Sequence, residues 1–219
     1  TMSQSELLSS LREAIIRGDI SEAEQLAEQA IADGIDPLLT FDKGLHPGIT
    51  EVGDGFASGK YFLPDLVIAA EAMQTAAAVL EREITRTGAV REKIGKVVLG
   101  TVEGDLHDIG KTIVGTLMAS HGFDIVDLGV NVPADDFVKA VREHNPQILG
   151  LSSLLTLTTK QIENAVEVLK DEGLRDSVKV MIGGGAVTQE FADEIEIDGF
   201  ARDAEIGVRI AKKLMEVEV

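Results

Sequence analysis

Lys96-Val97-Val98-Leu99-Gly100-Thr101-Val102 runs directly into Glu103-Gly104-Asp105-Leu106-His107-Asp108-Ile109-Gly110. The first stretch is apolar and rich in β-branched residues. It reads as a strand buried on both faces. The second is polar and carries glycines at both ends, so it reads as a loop. A helix follows, from about Ile109 to His121. The same succession then repeats downstream. Strands are predicted at Asp124 to Leu128, Gln147 to Leu151, Val178 to Ile182 and, weakly, Gly199 to Ala201. Helices are predicted at Ala134 to Glu143, Thr159 to Glu172, Thr188 to Glu194 and Ala204 to Met215. Strand–helix alternation of this kind gives an open parallel sheet with helices on both faces. The expected fold is α/β, flavodoxin-like (Rossmann-type) and five-stranded, with strand order 2-1-3-4-5.

Upstream of that alternation the periodicity is helical throughout. Leu7, Leu8, Leu11, Ile15 and Ile16 recur at helical spacing, and Gly18-Asp19 ends the run. Ser21 followed by Glu24 reads as a capping box for a second helix, to about Asp33. Asp36-Pro37 fits the start of a third, running towards Phe56, and Pro64 opens a fourth. These predict an N-terminal four-helix bundle over residues 1–88 and an α/β domain over residues 89–219. The polar stretch from about Thr85 to Gly95 reads as a linker.

In an open α/β sheet, ligands sit beyond the carboxyl ends of the strands where the strand order reverses. The unusual polar and glycine segments all fall at such ends. Strand one ends in Glu103 to Gly110, strand three in Ser152 to Thr159, and strand four in Gly183-Gly184-Gly185-Ala186. A lone loop histidine is usually structural or merely exposed. His107 has company: Asp105 two residues before it and Gly110 three after. A metal-bound imidazole commonly gives its other N–H to a carboxylate, and Asp105 is spaced for this. Gly110 lets something large and flat approach the backbone. A phosphate loop is the competing reading, because Gly104 to Thr112 ends in Gly-Lys-Thr. However, five residues separate the two glycines where that motif has four, and Asp105 and Asp108 would repel phosphate.

Asp105-x-His107-x-x-Gly110, then Ser152-x-Leu154, then Gly183-Gly184, resembles the ordered signature of corrinoid-binding domains. The bundle is similar to the cap module of cobalamin-dependent methionine synthase and of corrinoid proteins from methylotrophic and acetogenic methyltransferase systems. There the matching stretches are Val52-Gly53-Asp54-Gly55-Phe56 and Gly59-Lys60-Tyr61-Phe62-Leu63-Pro64. The resemblance covers about residues 5 to 215.

It implies a cobalamin or related corrinoid whose cobalt cycles between Co(I) and a methylated Co(III) form. His107 would be the lower axial cobalt ligand. Asp105 would hold the other ring nitrogen. Thr158 would stand where methionine synthase has the serine that completes the chain, and its β-branch restricts the rotamers available. Gly104, Asp108, Ile109 and Gly110 would complete the loop against the corrin. Ser152 and Thr156 would contact the displaced nucleotide tail, Leu154 would also bind the cofactor, and Gly183, Gly184 and Gly185 would make room for the tail's base. Phe56 and Leu63 would cover the upper face, although by pattern alone they read as core. Glu103 and Lys111 would lie near the ring's amide side chains.

The resemblance also implies a carrier that is not catalytic alone. It would serve a donor-specific methyltransferase and an acceptor-side methyltransferase using tetrahydrofolate or a thiol, with a reductive activator. The cap would have to move, hinging in the linker. A radical-mutase subunit, a corrinoid-sensing regulator and a storage module share the same domain. The helical cap argues against the first, and the absence of a basic DNA-reading segment argues against the second.

Composition agrees. Thirty-eight acidic residues against 20 basic give a net charge of −18, which makes nucleic acid an unlikely partner. With no cysteine, thiolate metal sites, disulfides and cysteine nucleophiles are excluded. No secretory pattern and no membrane-length apolar run are read in the chain. The expectation is therefore a cytoplasmic protein without a membrane partner.

Overall fold

The computed structural model describes residues 2–88 and 93–217. The chain divides into two units, residues 1–92 and residues 93–219.

The first unit is helical. Ser3 and Glu6 form a reciprocal capping box that opens α1 (Gln4–Arg17), which buries Leu7, Leu11, Ala14 and Ile15. Asp19, not Ser21, caps α2 (Ile20–Ala32): its side chain accepts from the Glu22 backbone N–H, so the expected Ser21–Glu24 box is replaced by a single N-cap bond starting two residues earlier. Asp36 caps α3 (Pro37–Thr40), and the chain continues through a π turn (Phe41–Leu45) into α4 (His46–Ala57). Pro47 explains the π turn. It has no N–H for the Lys43 carbonyl and its ring would strike that carbonyl, so the chain widens and His46 N–H bonds to Phe41 instead. Then α5 (Leu63–Thr87) runs to an αL cap at Gly88.

Ala23, Ala27 and Ala30 of α2 and Ala69, Ala72 and Ala76 of α5 are buried, and small side chains let the two axes approach closely. By length and mean hydropathy (1.3) α5 would suffice to cross a membrane, contrary to the expectation that no run here is that apolar. Its periodicity is that of a bundle helix: Leu66, Met73, Leu80 and Ile84 turn inward, while Glu71, Glu81 and Arg82 turn out.

The expected linker is shorter at both ends. Helix continues to Thr87, and Ile94 and Gly95 already bond to Gly122 and Asp124 of the second unit. The remainder of the expected hinge, residues 89–92, lies outside the described residues.

The second unit is a five-stranded parallel sheet in the order β2-β1-β3-β4-β5, with β1 (Lys96–Thr101), β2 (Asp124–Asp127), β3 (Ile148–Ser152), β4 (Lys179–Gly183) and β5 (Gly199–Ala201). The interleaved helices are α6 (Ile109–Ser120), α7 (Ala134–His144), α8 (Thr159–Asp171), α9 (Gln189–Glu194) and α10 (Ala204–Leu214). The flavodoxin-like expectation holds. Pairing of β1 with β3 sets Thr101 opposite Ser152, which brings the loops that follow these strands side by side.

Val98 of β1 and Val102 just beyond it share a core with Phe137 and Val141 of α7 and with Ile162, Val166 and Leu169 of α8. Gly100 makes room in it, because a Cβ there would lie 2.5 Å from the Phe137 ring. Gly100→Ala should therefore lower stability by about 1–3 kcal/mol, read as a lower urea midpoint at an unchanged m-value.

Candidate functional site

Asp105 has no exposed surface. Its Oδ1 accepts from the His107 backbone N–H at 3.0 Å and lies 2.7 Å from His107 Nδ1. Its Oδ2 accepts from the Leu154 N–H at 2.7 Å, the Leu155 N–H at 3.3 Å and the Thr158 hydroxyl at 3.1 Å. Burial alone would raise this carboxyl. The backbone donors of His107 and Leu154, the His107 ring and the Thr158 hydroxyl outweigh it and hold the group well below the usual carboxylate range. An ionised carboxylate can only accept, so Nδ1 carries the imidazole proton. Nε2 points away from the carboxylate's bond, on a ring whose side chain is half exposed. A metal ligand needs this tautomer, and the carboxylate behind it fixes the ring's direction.

The chain behind Asp105 continues. Thr158 Oγ1 stands 2.8 Å from Ser153 Oγ, and both residues are buried. Thr158 thus occupies the third position with its hydroxyl in reach, despite the β-branch. Ser153 extends the chain by one member. Sequence reading passed over Ser153 in favour of its neighbour Ser152. It had no signal to find it, because Ser153 lies just past β3 and its direction is set by the loop's own bonds to the Leu155 carbonyl and Thr158. Ser152 ends β3 half-buried, with its carbonyl taken by the Val102 N–H.

The surface around His107 is apolar. Leu106 is 71% exposed, Ile109 63% and Leu157 91%, and Leu154 and Leu155 are exposed beside them. Apart from Val217, these are the only exposed large apolar side chains among the described residues of the second unit, and all belong to the two loops joined through Asp105. Gly110 stands at the start of α6 with no protein atom within 4 Å of where a Cβ would be. A flat, largely apolar macrocycle with a metal at its centre fits this surface: one nitrogen lone pair, an apolar surround, and an open glycine that the fold itself does not require.

The other expected residues fall as follows. Gly104 has φ +81° and donates its N–H to the Asn131 side chain; Asp108 and Thr156 are exposed. At the end of β4, a Cβ on Gly183 would lie 2.9 Å from the Ala201 carbonyl oxygen, one on Gly184 2.0 Å from that of Ser153, and one on Gly185 2.8 Å from the Leu154 side chain. The fold already demands the first two, since backbone stands in the way. Lys111 differs from expectation: it is buried and its Nζ binds both Asp127 oxygens at 2.5 and 2.6 Å, so it does not reach outward from the loop. Phe56 near the end of α4 and Leu63 at the start of α5 flank one turn of the helical unit, both half-buried.

A B12 binding domain model matches residues 95–209, and a second B12 binding domain model matches residues 7–81. The chain is 43% identical to a corrinoid protein of Desulfitobacterium hafniense over 95% of its own length and 97% of the relative's. It is 42% identical to the dimethylamine corrinoid protein of Methanosarcina barkeri, over 98% of this chain and 100% of that one. Among solved structures it is similar to the methanol:cobalamin methyltransferase complex of Methanosarcina barkeri, with a TM-score of 0.89, 30% identity, and coverage of 99% of this chain and 82% of that one. The fold and the site define a B12-binding protein. This chain belongs to the corrinoid-protein family and binds a corrinoid.

Thr158→Val should remove a donor from Asp105 and leave the Ser153 hydroxyl short of a partner, costing about 1–3 kcal/mol in urea unfolding, while Thr158→Ser should retain most of that stability. Equal losses in both variants would mean that packing of the methyl group, not the hydroxyl, is what Thr158 contributes.

Proposed function

We propose that this chain is a methyl carrier. It accepts a methyl group from a donor-specific methyltransferase and yields it to a second methyltransferase serving tetrahydrofolate or a thiol, with a reductive activator restoring the cofactor. When bound, the corrinoid supplies the cobalt on which the methyl group travels. The observation that carries the reading is the half-exposed imidazole whose Nδ1 is committed to a buried carboxylate while Nε2 is left to ligate. The similarity to corrinoid proteins named for dimethylamine, and to a methanol:cobalamin methyltransferase complex, supports methyltransferase partners.

On this reading His107 Nε2 would hold the cobalt. Asp105 orients the ring, the Thr158 hydroxyl holds Asp105, and the Ser153 hydroxyl holds Thr158 in turn. The Asp105 carboxylate, 2.7 Å from Nδ1, would hold the ring in the same direction with or without the corrinoid. Leu106, Ile109 and Leu157 supply apolar surface to the macrocycle, and Gly110 lets it lie close to the backbone. Gly104, Asp108, Ser152, Leu154, Thr156 and the Gly183–Gly185 turn border the crevice into which the nucleotide tail would run. A cytoplasmic setting goes with such acceptors, since thiols are kept reduced there.

His107→Ala, loaded with hydroxocobalamin and freed of excess, should lose the visible spectrum of axial imidazole and hold corrinoid less tightly, with the fold intact by circular dichroism. An unchanged spectrum would remove His107 from the metal. Gly110→Ala should leave the unfolding free energy from urea titration within about 0.5 kcal/mol of wild type, because no side chain or neighbouring backbone opposes the new methyl group, and still weaken corrinoid retention. Undiminished retention would show that nothing lies close over Gly110.

A further inference from the structure

The loop that carries Asp105 and His107 is gripped from outside by a residue of a different loop. Between β2 and α7 the chain passes through Leu128-Gly129-Val130-Asn131-Val132-Pro133. This segment is pinned to the end of β1: the Thr101 N–H donates to the Gly129 carbonyl at 3.0 Å, the Val132 N–H to the Thr101 carbonyl at 2.9 Å, and Val132 bridges Val102. At its centre Asn131 adopts φ +53°, a left-handed conformation that asparagine tolerates better than other side-chain-bearing residues. In that conformation its side-chain Oδ1 accepts from the Gly104 N–H at 2.7 Å while its own backbone N–H donates to the Asp105 carbonyl at 3.0 Å. One residue therefore holds the peptide group that enters Gly104 and the one that leaves Asp105.

Gly104, between them, has φ +81° and is the most pliant point of the loop. The direction of the Asp105 side chain follows from these two peptide planes, and the His107 ring follows Asp105. Inside the loop, the Thr101 hydroxyl holds the His107 carbonyl at 2.9 Å, so the backbone is fixed at both ends of the Asp105–His107 segment.

We propose that Asn131 is a positioning residue for the axial ligand: it sets the Asp105 backbone so that His107 Nε2 stands ready for cobalt before the corrinoid arrives. This rests on the reading of His107 as lower axial ligand. Asn131 is itself exposed, and its two described hydrogen bonds to the loop both go to backbone groups. Its effect on the ligand therefore passes wholly through Asp105.

Three proteins test it: wild type, Asn131→Gly, which keeps the left-handed backbone and loses the acceptor, and Asn131→Asp, which keeps both. Hydrogen exchange at the Gly104 amide is read in the ligand-free proteins. Nitrogen splitting from axial imidazole is read by electron paramagnetic resonance after loading with cobalamin and reduction to Co(II). Asn131→Gly should exchange about five- to tenfold faster at Gly104, the loss expected for one hydrogen bond, and show a smaller imidazole-bound fraction. Asn131→Asp should match wild type in both. The proposal is overturned if Asn131→Gly is unchanged in the cobalt spectrum, even with faster exchange, or if Asn131→Asp is as impaired as Asn131→Gly. A wild type with no nitrogen splitting overturns the axial-ligand reading and this one with it. A wild type that shows the splitting, beside an unchanged Asn131→Gly, overturns only the role of Asn131.

Discussion

A carboxylate with no exposed surface must replace the hydration it has lost, and Asp105 does so with donors drawn from two loops. The backbone and ring of His107 come from the loop after β1; the Leu154 and Leu155 amides and the Thr158 hydroxyl come from the loop after β3. Nothing else among the described contacts ties these loops so closely. The position of the imidazole, the tautomer it adopts and the exposure of its second nitrogen all follow from that one buried charge.

The sheet makes this possible. Parallel pairing of β1 with β3, in the register that sets Thr101 opposite Ser152, delivers residues more than 50 positions apart to one carboxylate. The cores beneath are ordinary: branched aliphatic side chains, with a glycine where Phe137 needs room. The apolar surface at the strand ends is not ordinary. Leu106, Ile109 and Leu157 face outward where a fold seeking only stability would bury or replace them, and their exposure is what a corrinoid's face would offset.

Glycines at the site divide into two kinds. Gly183 and Gly184 are required by neighbouring backbone, so their presence would be expected of this sheet with or without a ligand. Gly110 has empty space beside it, so the packing of the protein gives no reason for it. The same distinction separates Lys111, which looks like a site residue by position and is in fact a buried partner of Asp127, from His107, which is turned outward.

Much of this was legible in the chain itself. Alternating strand and helix periods determined the sheet and its order, because each element's pattern is a local property that must match the faces it buries. The spacing of Asp105, His107 and Gly110 was legible for the same reason: the three lie within six residues of chain, from the loop after β1 into the start of α6. Helix starts were read less well where several capping residues stand together, as at Asp19 and Ser21, because only geometry selects between them. What the tertiary structure alone decided are the contacts that cross the fold. Ser153 rather than Ser152 turns inward behind Thr158, Asn131 reaches Gly104 from 27 residues away, and Lys111 folds back onto Asp127. Hydrogen bonds between distant loops depend on register and on left-handed turns. Neither leaves a period in the sequence.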